Sequence, residues 1–376
     1  MRVLVLLICT GLAVLSLPSP SWAQTAKPKK LLVVTITDGF RHGPAIDAAE
    51  RVLPKLAAES GGEFEFELLS EPSPRPNAGS APKRGAQMSD LQWEEMQSAY
   101  NLAAAKAKAE LPKWMAKVKE LFALKLSSAA LNNYDGVIFC NTTGDLPLPE
   151  GDALINWISQ GKAFIGMHAA TDTLKAMPSY FQMINGTFGG HPWGAGGTYT
   201  FVNHEPSHPT VAMFQREFQW KDEIYQYNHF NPAAVHVLIS LDMAKSKPQA
   251  PYHVPVSWVR NVGTGRLFYT NLGHNAETWE NEIFQKHIVA GIRWSLKMVD
   301  GPADPNPAIS AQHSLKSLAA VAGGLLQKDA AALEKKAIAK AMENPQWASK
   351  VAAEADIYRT MPSTELLTRL VAEIEK

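Results

Sequence analysis

Three histidines stand just beyond short apolar runs. "LLVVTI" (31–36) is followed by Thr37-Asp38-Gly39-Phe40-Arg41-His42, "AFIGM" (163–167) by His168, and "RLFYTN" (266–271) by Leu272-Gly273-His274. A fourth run, "GVIFC" (136–140), ends in Asn141 and Thr142. Imidazole exchanges protons near neutral pH and, when neutral, binds divalent transition metals. Two other stretches add polar and aromatic groups: "KDEIYQYNH" (221–229), with Asp222, Glu223 and Tyr225, and the glycine-rich "GGHPWGAGG" (189–197), with His191 and Trp193. His42, His168, His274 and Glu223 are therefore the candidate acid–base residues. His42, His168 and His274 are also candidate ligands for a divalent metal such as zinc, the one cofactor the sequence suggests. Arg41, Asn141, Thr142, His191, Trp193, Asp222, Tyr225 and Trp258 are candidate substrate contacts. No His-x-x-x-His pair on a helix supports a metal, because Pro206 breaks the segment joining His204 and His208.

Residues so scattered need a sheet to gather them. "LLVVTI", "GVIFC" and "AFIGM" are apolar without alternation, as strands buried on both faces are. Helical spacing in 44–58 and in "PEGDALINWISQ" separates them, so the pattern predicts βαβ units and a parallel sheet with helices on both sides. Ligands bind such sheets at the carboxyl ends of the strands, where the three histidines and Asn141 fall. His168 resembles a nucleophile turn: a strand stops, a sharp turn follows, and Gly166 and Ala170 are small. The residue on the turn is neither Ser nor Cys.

"EPSPRPNAGSAPKRGA" (71–86) reads as a loop and 89–125 as two helices, a helical insertion over about 75–126. The second half, 198–271, is richer in strands, with Glu223, Tyr225 and Tyr227 on one face of a strand and Asp222 on the other. Residues 279–296 form an amphipathic helix with Ile283, Phe284, Ile288 and Ile292 on one side. "DGPADPNPAIS" (300–310) reads as a linker, and 311–376 as a helical tail for packing or self-association into a homo-oligomer. The α/β domain is expected over 30–299.

With 36 basic and 36 acidic residues among 376, the chain offers no electrostatic case for nucleic acid or an anionic membrane. Arg2, the apolar stretch 3–17 and Ser21-Trp22-Ala23 form a signal peptide, expected to be removed after Ala23. The product is then secreted or periplasmic, with no membrane span. Cys140 is the one cysteine left after cleavage, so the fold depends on its core.

The motifs "TDGFRHG", "YDGVIF", "GMHAATDT", "GGHPWG", "HPTV", "DEIYQ", "PVSWVRNVGTGRLFYTNLGHN" and "GIRWSL", in this order from about residue 31 to 297, resemble the ThuA-like (trehalose-utilisation) domain family. The resemblance implies a class I glutamine amidotransferase-like fold: a flavodoxin-like three-layer α/β/α sandwich with a mostly parallel sheet. It places His168 where an amidotransferase keeps its cysteine. Imidazole cannot form the thioester of glutamine hydrolysis, which excludes that activity. The resemblance also implies carbohydrate utilisation, with a small-molecule substrate such as a trehalose-like disaccharide or its keto form. Trp193, Tyr225 and Trp258 then offer faces for sugar rings. A hydrolase, lyase or isomerase is one reading. A sugar-binding module serving a partner oxidoreductase is another, and an interaction protein built on the tail a third.

Overall fold

The structure, a computed structural model, describes residues 27–247 and 249–376. The expected signal peptide, 1–23, lies outside the described residues. In chain order the first half comprises β1 (Lys29–Val34), α1 (Gly43–Glu59), β2 (Phe64–Leu69), α2 (Asp90–Leu126), α3 (Ser128–Leu131), β3 (Gly136–Cys140), α4 (Ala153–Ser159) and β4 (Ala163–Met167). A 3-10 turn over His168–Asp172 leads to α5 (Pro178–Ile184), β5 (Thr187–Phe188), β6 (Thr198–Asn203), β7 (Glu217–Lys221), β8 (Tyr227–Asn228), β9 (His236–Leu241), β10 (Pro255–Val262) and β11 (Gly265–Thr270). Two helices close the domain, α6 (Ala276–Glu280) and α7 (Glu282–Ser295). The tail holds α8 (Pro307–Leu325), α9 (Ala330–Glu343), α10 (Pro345–Asp356) and α11 (Thr364–Glu375).

The main sheet runs β2-β1-β3-β4-β11-β10-β9-β6-β7. Its first five strands are parallel neighbours, and the last four extend it antiparallel. Most strands point one way, in the doubly wound order of a flavodoxin-like sheet with β11 in fifth place. The apolar runs explain the layers. Leu31, Val33, Ile138, Cys140, Ile165 and Met167 face α1 and α7, meeting Ala45, Val52, Leu53, Phe284, Ile288 and Ile292. Leu32, Val34, Val137, Phe139 and Phe164 face the other way, toward Val118 and Phe122 of α2, Leu154 and Ile158 of α4, and Tyr180 of α5. A period of two within unbroken apolar runs thus feeds two cores. Each fully buried aliphatic side chain contributes about 1.5–3 kcal/mol.

Some local expectations need correction. Residues 90–126 form one helix of 37 residues, not two, with Pro112 inside it. Its fully buried residues all follow that proline, Trp114, Val118, Phe122 and Leu126 at every fourth position; Leu91 and Leu102 are exposed. The strand expected through 217–227 stops at Lys221, and 222–226 is loop. Ile283 faces solvent rather than the core. Residues 301–306 are tied to the sheet. The Gly301 carbonyl accepts from Trp294, and the Pro302 and Asp304 carbonyls lie 3.1 Å from His208 Nε2 and 2.7 Å from His236 Nδ1. Asn306 bonds both backbone groups of Val237. The tail helices share a core of their own that includes Leu315, Leu318, Val351, Leu367 and Leu370. Among the described residues no helix is long and apolar enough to cross a membrane.

Candidate active site

The carboxyl edge of the parallel strands is built by turns that only particular residues can make. Asn141 and His168, immediately after β3 and β4, both have positive φ, 53° and 45°. For residues other than glycine this conformation is strained and is held by surrounding structure. At His168 the hold is visible. The Tyr269 hydroxyl donates to the His168 carbonyl at 2.7 Å, and His168 Nδ1 lies 2.8 Å from the Asn271 carbonyl. Gly166 makes room for the turn: a Cβ there would stand 3.0 Å from Ile184 Cδ1 and from Tyr269 Cδ2, and 3.3 Å from Ala170 Cβ. The small neighbours the turn demands are thus accounted for by contacts.

His42 is the residue before α1, placed by a loop that is pinned to the β3 turn. Asp38 N donates to the Thr143 carbonyl and Thr143 Oγ1 to the Phe40 carbonyl. His274 is placed by Asp222. That buried carboxylate accepts from the backbone N–H groups of Gly273, His274 and Asn275, at 2.7, 3.1 and 3.1 Å, and from Thr278 Oγ1. The same residue accepts from Glu223 N, so one side chain joins the loop after β7 to the loop after β11.

These segments bring His42, His168, His274 and Glu223 together, each offering a ligand-capable atom within 4.8 Å of the others. Glu223 Oε2 is 3.0 Å from His274 Nδ1 and 3.6 Å from His168 Nε2. The two rings meet at 3.2 Å between His274 Nδ1 and His168 Nε2. Glu223 Oε1 reaches His191 Nδ1 at 3.3 Å, and His191 is half exposed. Burial, then the neighbouring His168 and His274, lowers the His42 pKa to about 2. Burial acts to raise the Glu223 pKa, but the adjoining His168 and His274 rings outweigh it and hold the carboxyl below the usual range. Burial acts to lower the His274 pKa, and the Glu223 hydrogen bond and charge reverse this and raise it. A neutral ring, an ionised carboxylate and a ring drawn toward imidazolium therefore share one site. A cavity of about 220 Å³ reaches His42 and His274 between loop 40–44 and residues 275–277, with exposed Phe40 at its rim.

The other candidates divide. His191 and Tyr225 adjoin the cluster: Tyr225 packs on His168 at 4.5 Å between ring centroids, and its hydroxyl is 3.4 Å from His42 Nε2. Asp222 and Asn141 position loops, Asn141 Nδ2 donating to the Gly273 carbonyl. Thr142 Oγ1 meets Thr173 Oγ1 at 2.8 Å. Arg41 borders the cavity and pairs with Glu71 and Asp47. Trp193, Tyr225 and Trp258 are buried, so none presents an open face to a sugar. Trp258 stacks on Tyr269 and donates to the Ile184 carbonyl, and Trp193 packs in the core, its carbonyl accepting from Ile224 N. Their apolar area is used by the fold. Asn271 and Tyr269 were missed. Asn271 closes the same apolar run that leads to His274, and its Oδ1 accepts from Tyr225 N.

A family model described as ThuA, trehalose utilisation, matches residues 89–295, more than half of the chain. A ThuA-like protein from Bacteroides uniformis has a similar fold, with TM-score 0.50 and 18% identity over 74% of this chain and 95% of that one. A ThuA-like protein from Parabacteroides merdae aligns with TM-score 0.48 and 15% identity, over 75% and 98% of the two chains. No curated protein matches the chain. The chain belongs to the ThuA, trehalose-utilisation, family.

Proposed function

We propose that the protein is an exported enzyme that transforms a sugar, most directly the keto form of a trehalose-like disaccharide. The observation that carries the reading is the convergence of His42, His168, His274 and Glu223 at the carboxyl edge of the sheet, beside a cavity. A keto group acidifies the neighbouring C–H bond. A base takes that proton, the C–H electron pair becomes an enolate, and the enolate expels the glycosidic oxygen on the next carbon, which is protonated as it leaves. Such chemistry needs a positioned proton carrier and stabilisation of the enolate oxygen. His191, oriented by Glu223 Oε1 and reachable from solvent, is suited to carry the proton. The buried cluster is suited to stabilise the oxygen. The keto group itself requires prior oxidation of a sugar hydroxyl, so an oxidoreductase would supply the substrate.

The test is NMR of a keto-disaccharide in deuterated water with the full-length protein. Protein-dependent exchange of the proton next to the keto group, followed by loss of the glycosidic signal, is expected. Saturable binding with no exchange and no bond cleavage would replace the enzyme reading by a sugar-binding module.

A further inference from the structure

We infer that His42, His168, His274 and Glu223 form a mononuclear centre for a divalent transition metal of the zinc type. This rests on the same cluster as the proposed function but on different observations, and it adds a carboxylate to the three histidines that the sequence suggested.

The first observation is spacing. Tetrahedral bonds of about 2.0–2.1 Å put ligand atoms about 3.3 Å apart. His274 Nδ1, His168 Nε2 and Glu223 Oε2 are separated by 3.0, 3.2 and 3.6 Å. The three imidazoles are also mutually near-perpendicular, with interplanar angles of 87°, 86° and 82° and centroids 4.8, 5.0 and 5.1 Å apart. Rings disposed around one point have this relation, and rings packed edge to face share it, so the ligand-atom spacing carries the argument.

The second observation is proton accounting. His168 Nδ1 faces the Asn271 carbonyl at 2.8 Å and must donate to it. In the neutral ring Nε2 is then a bare lone pair. It faces Glu223 Oε2, also an acceptor, at 3.6 Å. Only His274 Nδ1 can carry a proton between them, and one N–H cannot serve both. A cation among the three atoms satisfies all of them. His42 is under-satisfied as well: its buried Nδ1 has no partner and its Nε2 has only the Tyr225 hydroxyl at 3.4 Å. Buried ring nitrogens this poorly partnered are costly, and ligation by one of them removes much of that cost.

The third observation is the outer shell. Ligating histidines characteristically donate their other N–H to a carbonyl or carboxylate, which fixes the tautomer. The Asn271 carbonyl accepts in this way from His168 Nδ1, and Asp222 fixes the backbone that carries His274. Nitrogen and carboxylate ligands with no thiolate suit zinc, and the side toward the cavity leaves room for a water or a sugar oxygen. A bound ion would act as the electrophile for the keto oxygen.

The experiment is titration of chelator-stripped full-length protein with Zn²⁺ alone by calorimetry, and with Co²⁺ by visible absorption. One equivalent of Zn²⁺ should bind, and Co²⁺ should give the intense bands of a four- or five-coordinate ion. His274→Ala and Glu223→Gln should each weaken Zn²⁺ binding at least 10-fold with the circular dichroism unchanged. Glu223→Gln keeps size and shape and guards against a folding failure. No stoichiometric binding to folded wild type, or binding unaltered in both variants, overturns the inference. A loaded protein that leaves keto-sugars untouched supports the metal centre and removes the carbohydrate reading instead.

Discussion

At the residue scale, the histidines were legible because each follows an apolar run by a countable number of residues, and a parallel sheet sends such positions to one edge. Glu223 was legible only as a nearby acid. Its place depends on a loop after β7 that no periodicity describes. Side-chain direction was the least legible property. The turn after β4 suggests that His168 points out of the core, yet it is fully buried, because Tyr225, His42 and His274 close over it. Trp258 and Trp193 looked like platforms for the reason that they are large and flat, which is also why a core takes them. The smallest residue at the site yields a sharp prediction. Gly166→Ala places a methyl 3.0 Å from Ile184 Cδ1 and Tyr269 Cδ2. Overpacking of this kind costs about 1–3 kcal/mol, and here it also displaces the Tyr269 hydroxyl that holds the His168 carbonyl. Urea unfolding should show that loss together with reduced turnover. Wild-type stability and activity would mean that the turn is looser than these contacts indicate.

At the element scale, the parallel strands and α1 were readable because their apolar residues are consecutive or regularly spaced. The length of α2 was not, since a proline usually ends a helix and only the tertiary contacts of Trp114 to Leu126 show that it continues. The junction of α8 with the sheet was also hidden. There His313 of α8 meets His204 at 4.5 Å and His253 at 5.8 Å between ring centroids, and Ser240 Oγ lies between His204 Nε2 and His253 Nε2. Burial, with smaller contributions from nearby positive groups, lowers the pKa of His204 to about 4 and of His253 to about 3. His313 is shifted the same way. An unfolded histidine takes up a proton near pH 6.5, whereas these rings stay neutral to lower pH. Between the two values the unfolded chain binds more protons, so stability is full above about pH 6.5 and falls as pH drops toward 4, by up to about 1.4 kcal/mol per pH unit for each ring. The melting temperature should therefore fall between pH 7.5 and pH 5, and His313→Gln should make that fall shallower. An identical slope in the variant would show that the rings at this junction do not govern acid sensitivity.

At the scale of the whole molecule, the order of the motifs was enough to anticipate the doubly wound sheet, and the observed strand order agrees. What the order left open is how the tail meets the domain. The stretch 301–306 is proline-rich and polar, as linkers are, yet it bonds to His208, His236 and Val237, and His253 N donates to Ser314 of α8. A chain ending at residue 300 should keep a cooperative transition, because both faces of the parallel sheet are covered without the tail. It should melt at lower temperature than the full chain, since those bonds and the cover over His253 are lost. Loss of any cooperative transition would make the tail part of the folding unit.

The central claim is that the His42–His168–His274–Glu223 cluster performs chemistry on a sugar. The most direct measurement is the rate of keto-disaccharide conversion by wild type and by Glu223→Gln at equal folded concentration. The account predicts measurable wild-type turnover and a loss of at least about 100-fold in the variant, the scale expected when a charge-stabilising or proton-transfer partner is removed. Equal rates in the two proteins, or no conversion by either, would contradict it.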